Sequence, residues 1–107
     1  MADIPERDWK YLSSIKGQML EDLSRRINDE VRRILGNQKI SEDEKRRKVY
    51  SLVQDRDRVV ADCFDDWRRS RIMERCWALR RHRLLTQQHL DHLAPDTQKG
   101  ILIFETK

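Results

Sequence analysis

Glycine and proline are scarce in this chain, three and two among 107 residues, which disfavours architectures built on many tight turns. Gly17, Gly36 and Gly100 stand far apart, so no Gly-rich phosphate loop can form. Cysteine is nearly as rare. Cys63 and Cys76 are the only pair, and they do not form a Cys-x-x-Cys spacing of the kind that holds zinc. On one continuous helix the two would lie about 20 Å apart, too far for a disulfide, and free thiols suit a reducing, cytoplasmic setting. No apolar run approaches the roughly 20 residues of a membrane span. The opening residues Met1 to Asp8 also lack the basic-then-apolar layout of a secretory leader.

The chain is 37% hydrophobic and 39% charged, a mixture that would suit disorder if the apolar residues were scattered. They are not scattered. Trp9, Leu12, Ile15, Met19, Leu23, Ile27, Val31 and Ile34 recur at spacings of three and four, which places them on one stripe of a helix. Pro5 suits a first turn and Gly36-Asn37 a closing one, so the first helix is predicted over about 5–35. Gly17 inside it marks a candidate close approach of two backbones.

Ser41 followed by Glu44 forms a capping-box pattern, and a second helix is predicted from 41 onward. The short link before it folds this helix back on the first as an antiparallel hairpin, which brings Trp67 towards Trp9. Its stripe runs Val49, Leu52, Val53, Val60, Cys63, Phe64 and Trp67, whereas Ile72, Met73, Cys76, Trp77 and Leu79 point to the opposite side. The helix over 41–85 is therefore expected either to bend or break near 68–71, or to run straight and present its second half elsewhere. Thr86 caps a short helix over 86–93. The tail, 94–107, turns at Ala94-Pro95-Asp96 and ends in the apolar arm Ile101 to Phe104.

The predicted fold is all-α, a single domain over 1–107. A long helical hairpin is joined by a basic helical segment and a short C-terminal helix. Such a thin bundle buries little surface alone and is expected to be completed by dimerisation.

Charge is unevenly placed. Arg68, Arg69, Arg71, Arg75, Arg80, Arg81 and Arg83 stand against Glu74 alone between 68 and 83, while the chain as a whole is only +4. Guanidinium forks clamp carboxylates or phosphates, so these seven arginines are the candidate binding residues. Ile72, Met73, Cys76, Trp77 and Leu79 are the candidate apolar interface, packing on the C-terminal elements or on a second molecule.

The bland alternative is a solvated face whose arginines pair with the hairpin's own acids and cover apolar surface with their stems. No zinc-finger, RNP-like or helix-turn-helix signature accompanies the arginines, so nucleic acid ranks second to an acidic protein as ligand. His82, His89 and His92 lack partners at metal-ligand spacing, and no metal or cofactor is expected. Neither cysteine is spaced with a histidine in a way that argues for a nucleophile. Asp55, Asp57, Asp62, Asp65 and Asp66 alternate with or precede arginines, as on an ion-paired face.

The functional expectation is therefore a non-enzymatic interaction or regulatory protein. In this reading it forms a homodimer and engages an acidic partner through the Arg-rich segment. The alternative is a nucleic-acid-binding module using the same arginines on phosphates. A small inhibitor of a larger enzyme would differ from the first only in its partner.

Overall fold

The structure, a computed structural model, describes residues 4–105. It is all-helical, with no strand among the described residues. Helices α1 (Glu6–Leu35) and α2 (Glu42–Phe64) form the antiparallel hairpin, and α3 (Ile72–Arg81), α4 (Gln87–Leu90) and α5 (Pro95–Ile101) follow. The arms are unequal: α1 has 30 residues and α2 has 23.

Two regions differ in kind. Asp8, Leu12, Met19 and Leu23 are the buried residues of α1, and Cys63 and Phe64 are those of α2. Between Leu23 and Cys63 no side chain is fully buried. The remaining core residues are Ile4 together with Ile72, Cys76, Ala78, Leu79, Leu84, Leu85, Leu90, Leu93 and Ile101. The molecule is thus a head, made from the first half of α1 and everything after residue 62, and a two-helix stalk over 24–62. Its extents are 52 × 29 × 21 Å and its radius of gyration is 16.8 Å, against about 13 Å for a compact chain of this length.

The second helix breaks, and it does so earlier than the change of stripe implies. It stops at Phe64, Asp65 turns extended, and Asp66 takes a left-handed φ of 53°. A 3-10 turn over Arg69–Arg71 then leads into α3. A side chain from beyond the break receives this end. Arg75 Nη1 donates to the Asp65 carbonyl (2.9 Å), which no further helical turn follows to use, and more weakly to the Ala61 carbonyl (3.3 Å), which already accepts from the Asp65 amide (3.0 Å). Because the helix breaks, the 20 Å separation expected for Cys63 and Cys76 does not apply; both thiols are nevertheless free, and both lie in the head core.

Helix α3 buries Ile72, Cys76 and Leu79 along one stripe and ends in a Schellman motif. Leu84 N–H donates to Leu79 O (2.8 Å) and Arg83 N–H to Arg80 O (3.0 Å), with Arg83 left-handed at φ 60°. Helix α4 is capped by Thr86 in a capping box whose third-position partner is His89: its Nδ1 accepts from the Thr86 amide at 3.0 Å.

The tail departs from expectation. Instead of a turn and an apolar arm, it forms α5 and a 3-10 turn over Leu102–Phe104. Pro95 sits at the first helical position, and a buried carboxylate from the far end of the chain anchors the start of the helix. Asp8, fully buried, accepts from the Ala94 amide (3.1 Å) and from Thr97 Oγ1 (2.6 Å). It ties the first turn of α1 to the first turn of α5.

Gly17 has nothing within 4 Å of the position a Cβ would take, so it marks no close approach. Gly100 does: a Cβ there would stand 2.9 Å from Met73 Cε. The hairpin's open end closes as expected, with the Trp9 and Trp67 rings 6.3 Å apart and Trp67 Nε1 donating to Ser13 Oγ at 3.2 Å.

Candidate interaction site

The structure disperses the seven arginines. Arg69, Arg75 and Arg80 turn inward. Arg69 donates through Nε (3.0 Å) and Nη2 (2.6 Å) to the carbonyl of Ile4, Arg75 caps α2, and Arg80 Nη1 donates to Leu85 O at 3.1 Å. Arg26 of α1 does likewise, giving Nη1 to His82 O (2.7 Å) and Nη2 to Arg83 O (2.9 Å) at the end of α3. Four guanidinium groups thus hold head elements together by their backbone carbonyls. A lysine ammonium lacks the planar fork that reaches two acceptors at once.

Arg68 and Arg71 stay at the surface and pair locally, Arg68 with Asp66 and Arg71 with Glu74 at 3.1 Å. Arg81 and Arg83 are exposed, with no hydrogen-bond or ion-pair partner for their side chains among the described residues. One basic stripe does not form.

The candidate apolar residues are divided as well. Ile72, Cys76 and Leu79 belong to the chain's own core, each 1% exposed or less. Burial pushes the Cys63 thiol up to about 11 and the Cys76 thiol up to about 12, so both are protonated at neutral pH. Met73 and Trp77 are half-buried against α5, and Trp77 Nε1 donates to Gly100 O at 2.9 Å. Of the two ways this face could pack, the structure shows the one against the C-terminal elements.

Sequence-predicted residues do converge at one place. Trp77, Arg80 and Arg81 line a recess of about 250 Å³ with Ile101, Phe104 and Glu105. Phe104 meets Trp77 edge-on, with centroids 4.9 Å apart, yet remains 72% exposed. Arg80 holds Glu105 with both Nε (2.8 Å) and Nη2 (2.6 Å). That hydrogen-bonded fork keeps the Glu105 carboxyl below its ordinary range and raises the Arg80 guanidinium.

The stalk carries the other candidate surface. Its inner seam is half-buried, running through Ile27, Val31, Ile34, Val49, Leu52 and Val59. Midway along it Arg56 clamps Glu30 bidentately at 3.0 and 2.7 Å. Outside the seam Leu35, Tyr50 and Val53 are 52%, 63% and 39% exposed. A shallow groove lined by Ile34, Glu44, Arg47, Lys48, Ser51 and Leu52 runs beside them.

The histidines have local roles. His89 completes the α4 cap, His92 stacks on Tyr11 at 4.7 Å, and the His82 carbonyl receives Arg26. Among the described residues no three His, Cys, Asp or Glu side chains come together in a way that could hold a metal ion. No helix of the described residues is long and apolar enough to cross a membrane.

Sequence reasoning missed Asp8, which reads there as an ordinary first-turn acid, and Arg26, which lies off the apolar stripe. It also missed the role of Glu105, although Pro95-Asp96 already had the signature of a helix start. Comparison with known proteins gave no matching family, no similar curated protein and no similar solved structure.

Proposed function

We propose that this chain is a non-enzymatic interaction protein that pairs with a second copy through its stalk and presents the arginine side of its head to an acidic partner. The stalk carries this reading. It is a pair of long helices, joined at 36–41, with no fully buried side chain between residues 24 and 62, and with Leu35, Tyr50 and Val53 left in solvent. Isolated helices draw most of their stability from packing an apolar face, so a second copy laid along the stalk would supply what the chain lacks. Ile72, Cys76 and Leu79 are used internally, which moves the self-association surface from the Trp77 face to the stalk. With five of the seven candidate arginines already engaged within the chain, support for broad phosphate contact is thinner than the charge count implies.

Light scattering of the full chain at low and high salt, with and without mixed-sequence duplex DNA, tests this reading. The expected result is twice the chain mass at both salt concentrations, unchanged by DNA. Replacing Tyr50→Glu and Val53→Glu together returns it to monomer mass while circular dichroism keeps its helical signal. A wild-type monomer overturns the pairing. A monomer that gains mass with DNA at low salt and releases it at high salt promotes the nucleic-acid reading instead.

A further inference from the structure

We infer that the recess between α3 and α5 is a receptor for a partner peptide carrying an aromatic residue followed by a carboxylate, and that Phe104-Glu105 is an internal stand-in occupying it. The inference rests on the acidic-partner reading above and names the seat and the motif.

Arg80 is a prepared carboxylate receptor. Its Nη1 donates to Leu85 O at 3.1 Å, a contact that does not depend on Glu105. Nε and Nη2 then point outward as a parallel pair of donors, now taken by the two oxygens of Glu105. The Arg80 side chain is only 20% exposed, so the fork is partly shielded from water and from salt. Beside it the Trp77 ring forms an apolar wall and Arg81 adds an exposed cation.

The present occupant fits poorly. Phe104 touches Trp77 by an edge and leaves 72% of its surface in water, the preceding Ile103 is 61% exposed, and about 250 Å³ of recess stays open. A peptide presenting the same aromatic-carboxylate pair in place of Phe104 and Glu105, with its ring laid on the Trp77 wall that Phe104 meets only by an edge, makes the same bidentate contact and buries more apolar surface. It competes with a tethered rival whose effective concentration is on the order of millimolar. The chain's own tail therefore sets a threshold that weak acidic ligands do not pass.

The test uses the full chain and the synthetic peptide acetyl-Leu-Ile-Phe-Glu-amide, with acetyl-Leu-Ile-Phe-Gln-amide as control, read by the shift of the Trp77 indole N–H resonance. Glu105→Gln, which frees the fork, is expected to bind the Glu peptide at least tenfold more tightly than wild type and to ignore the Gln peptide. Adding Arg80→Lys to that variant abolishes the gain, and adding Arg81→Gln lowers it a few-fold. Equal affinity of wild type and Glu105→Gln, or equal binding of the two peptides by Glu105→Gln, overturns the inference. Tail exchange between copies, seen as a mass increase in wild type that Glu105→Gln removes while Tyr50→Glu with Val53→Glu leaves it, would also overturn it. Light scattering of the stalk variants reports separately on pairing, so either idea can fail alone.

Discussion

Head and stalk are made of the same helical material, yet they are held by different forces. In the head, apolar side chains from all five helices close on one another, and guanidinium groups seal helix ends by their carbonyls. In the stalk, two helices share a half-buried seam and surface ion pairs such as Arg32–Asp29 and Arg46–Asp43. The first kind of assembly is cooperative; the second is an extension that borrows order from its base and, in the proposed dimer, from a second stalk. Amide exchange is expected to follow this division, fastest at the stalk tip near Gly36 and slowest around Leu79.

The largest test of that contrast is Asp8→Ala. It leaves the Ala94 amide and the Thr97 hydroxyl unpaired in a buried setting and frees α5 from α1. A loss of about 3 kcal/mol or more in urea unfolding is expected. A loss below about 1 kcal/mol would mean that α5 is not held through this carboxylate.

Arg75→Met and Arg56→Met set the two regions side by side. Arg75, 19% exposed, caps α2 within the head, and its loss should cost about 2 kcal/mol. Arg56 makes a shorter, bidentate pair with Glu30, but both side chains are 33% exposed in the stalk, and its loss should cost under about 1 kcal/mol. Equal costs would erase the distinction between head and stalk.

Gly17→Ala sharpens the comparison from the other direction. Nothing lies within 4 Å of the added methyl, so the gain should be close to the helix-propensity difference of about 1 kcal/mol in thermal or urea unfolding.

The smallest effect concerns pH. Burial, aided by the neighbouring His92, lowers the His89 pKa from its ordinary value, and His89 Nδ1 must stay unprotonated to accept from the Thr86 amide. A depressed folded pKa means that stability is complete above the unfolded value near 6.5 and is lost as pH falls through the folded one. The melting temperature of the wild type should therefore decline modestly between pH 7 and pH 5. His89→Gln, which can still accept at the cap, should flatten that part of the profile.

The helical class, the hairpin, the Trp9–Trp67 closure and the Thr86 cap were legible because each rests on local periodicity or a short capping pattern, as was the Ser41 half of the expected capping box, where Ser41 Oγ accepts from the Glu44 amide at 3.1 Å. The turn at 65–68 was legible only as a change of stripe, since the group that takes up the carbonyl at the end of α2 is a guanidinium ten residues beyond Asp65. Asp8 and Arg26 were illegible for the same reason: their partners lie 86 and 56 residues away, and a charged residue near an apolar stripe looks solvated until the fold brings a carbonyl or an amide to it. The Arg-rich segment could be counted but not oriented. Whether a guanidinium points to solvent or into a helix end depends on where neighbouring helices stop.

The hydrogen bond between Thr97 and Asp8 joins residues 89 positions apart, and it bears on how the chain is made. During synthesis the whole stalk leaves the ribosome before α3, α4 and α5 exist, so its two helices can pair early while the head cannot. Head closure waits for residue 97 to emerge. Until then Leu12, Met19 and Leu23 lie bare along α1 and are open to capture by other nascent chains. Long-range closure of this kind slows folding. The ion-paired charges on the outer faces of the waiting hairpin, Arg32–Asp29 and Arg46–Asp43 among them, then help keep the half-made chain in solution.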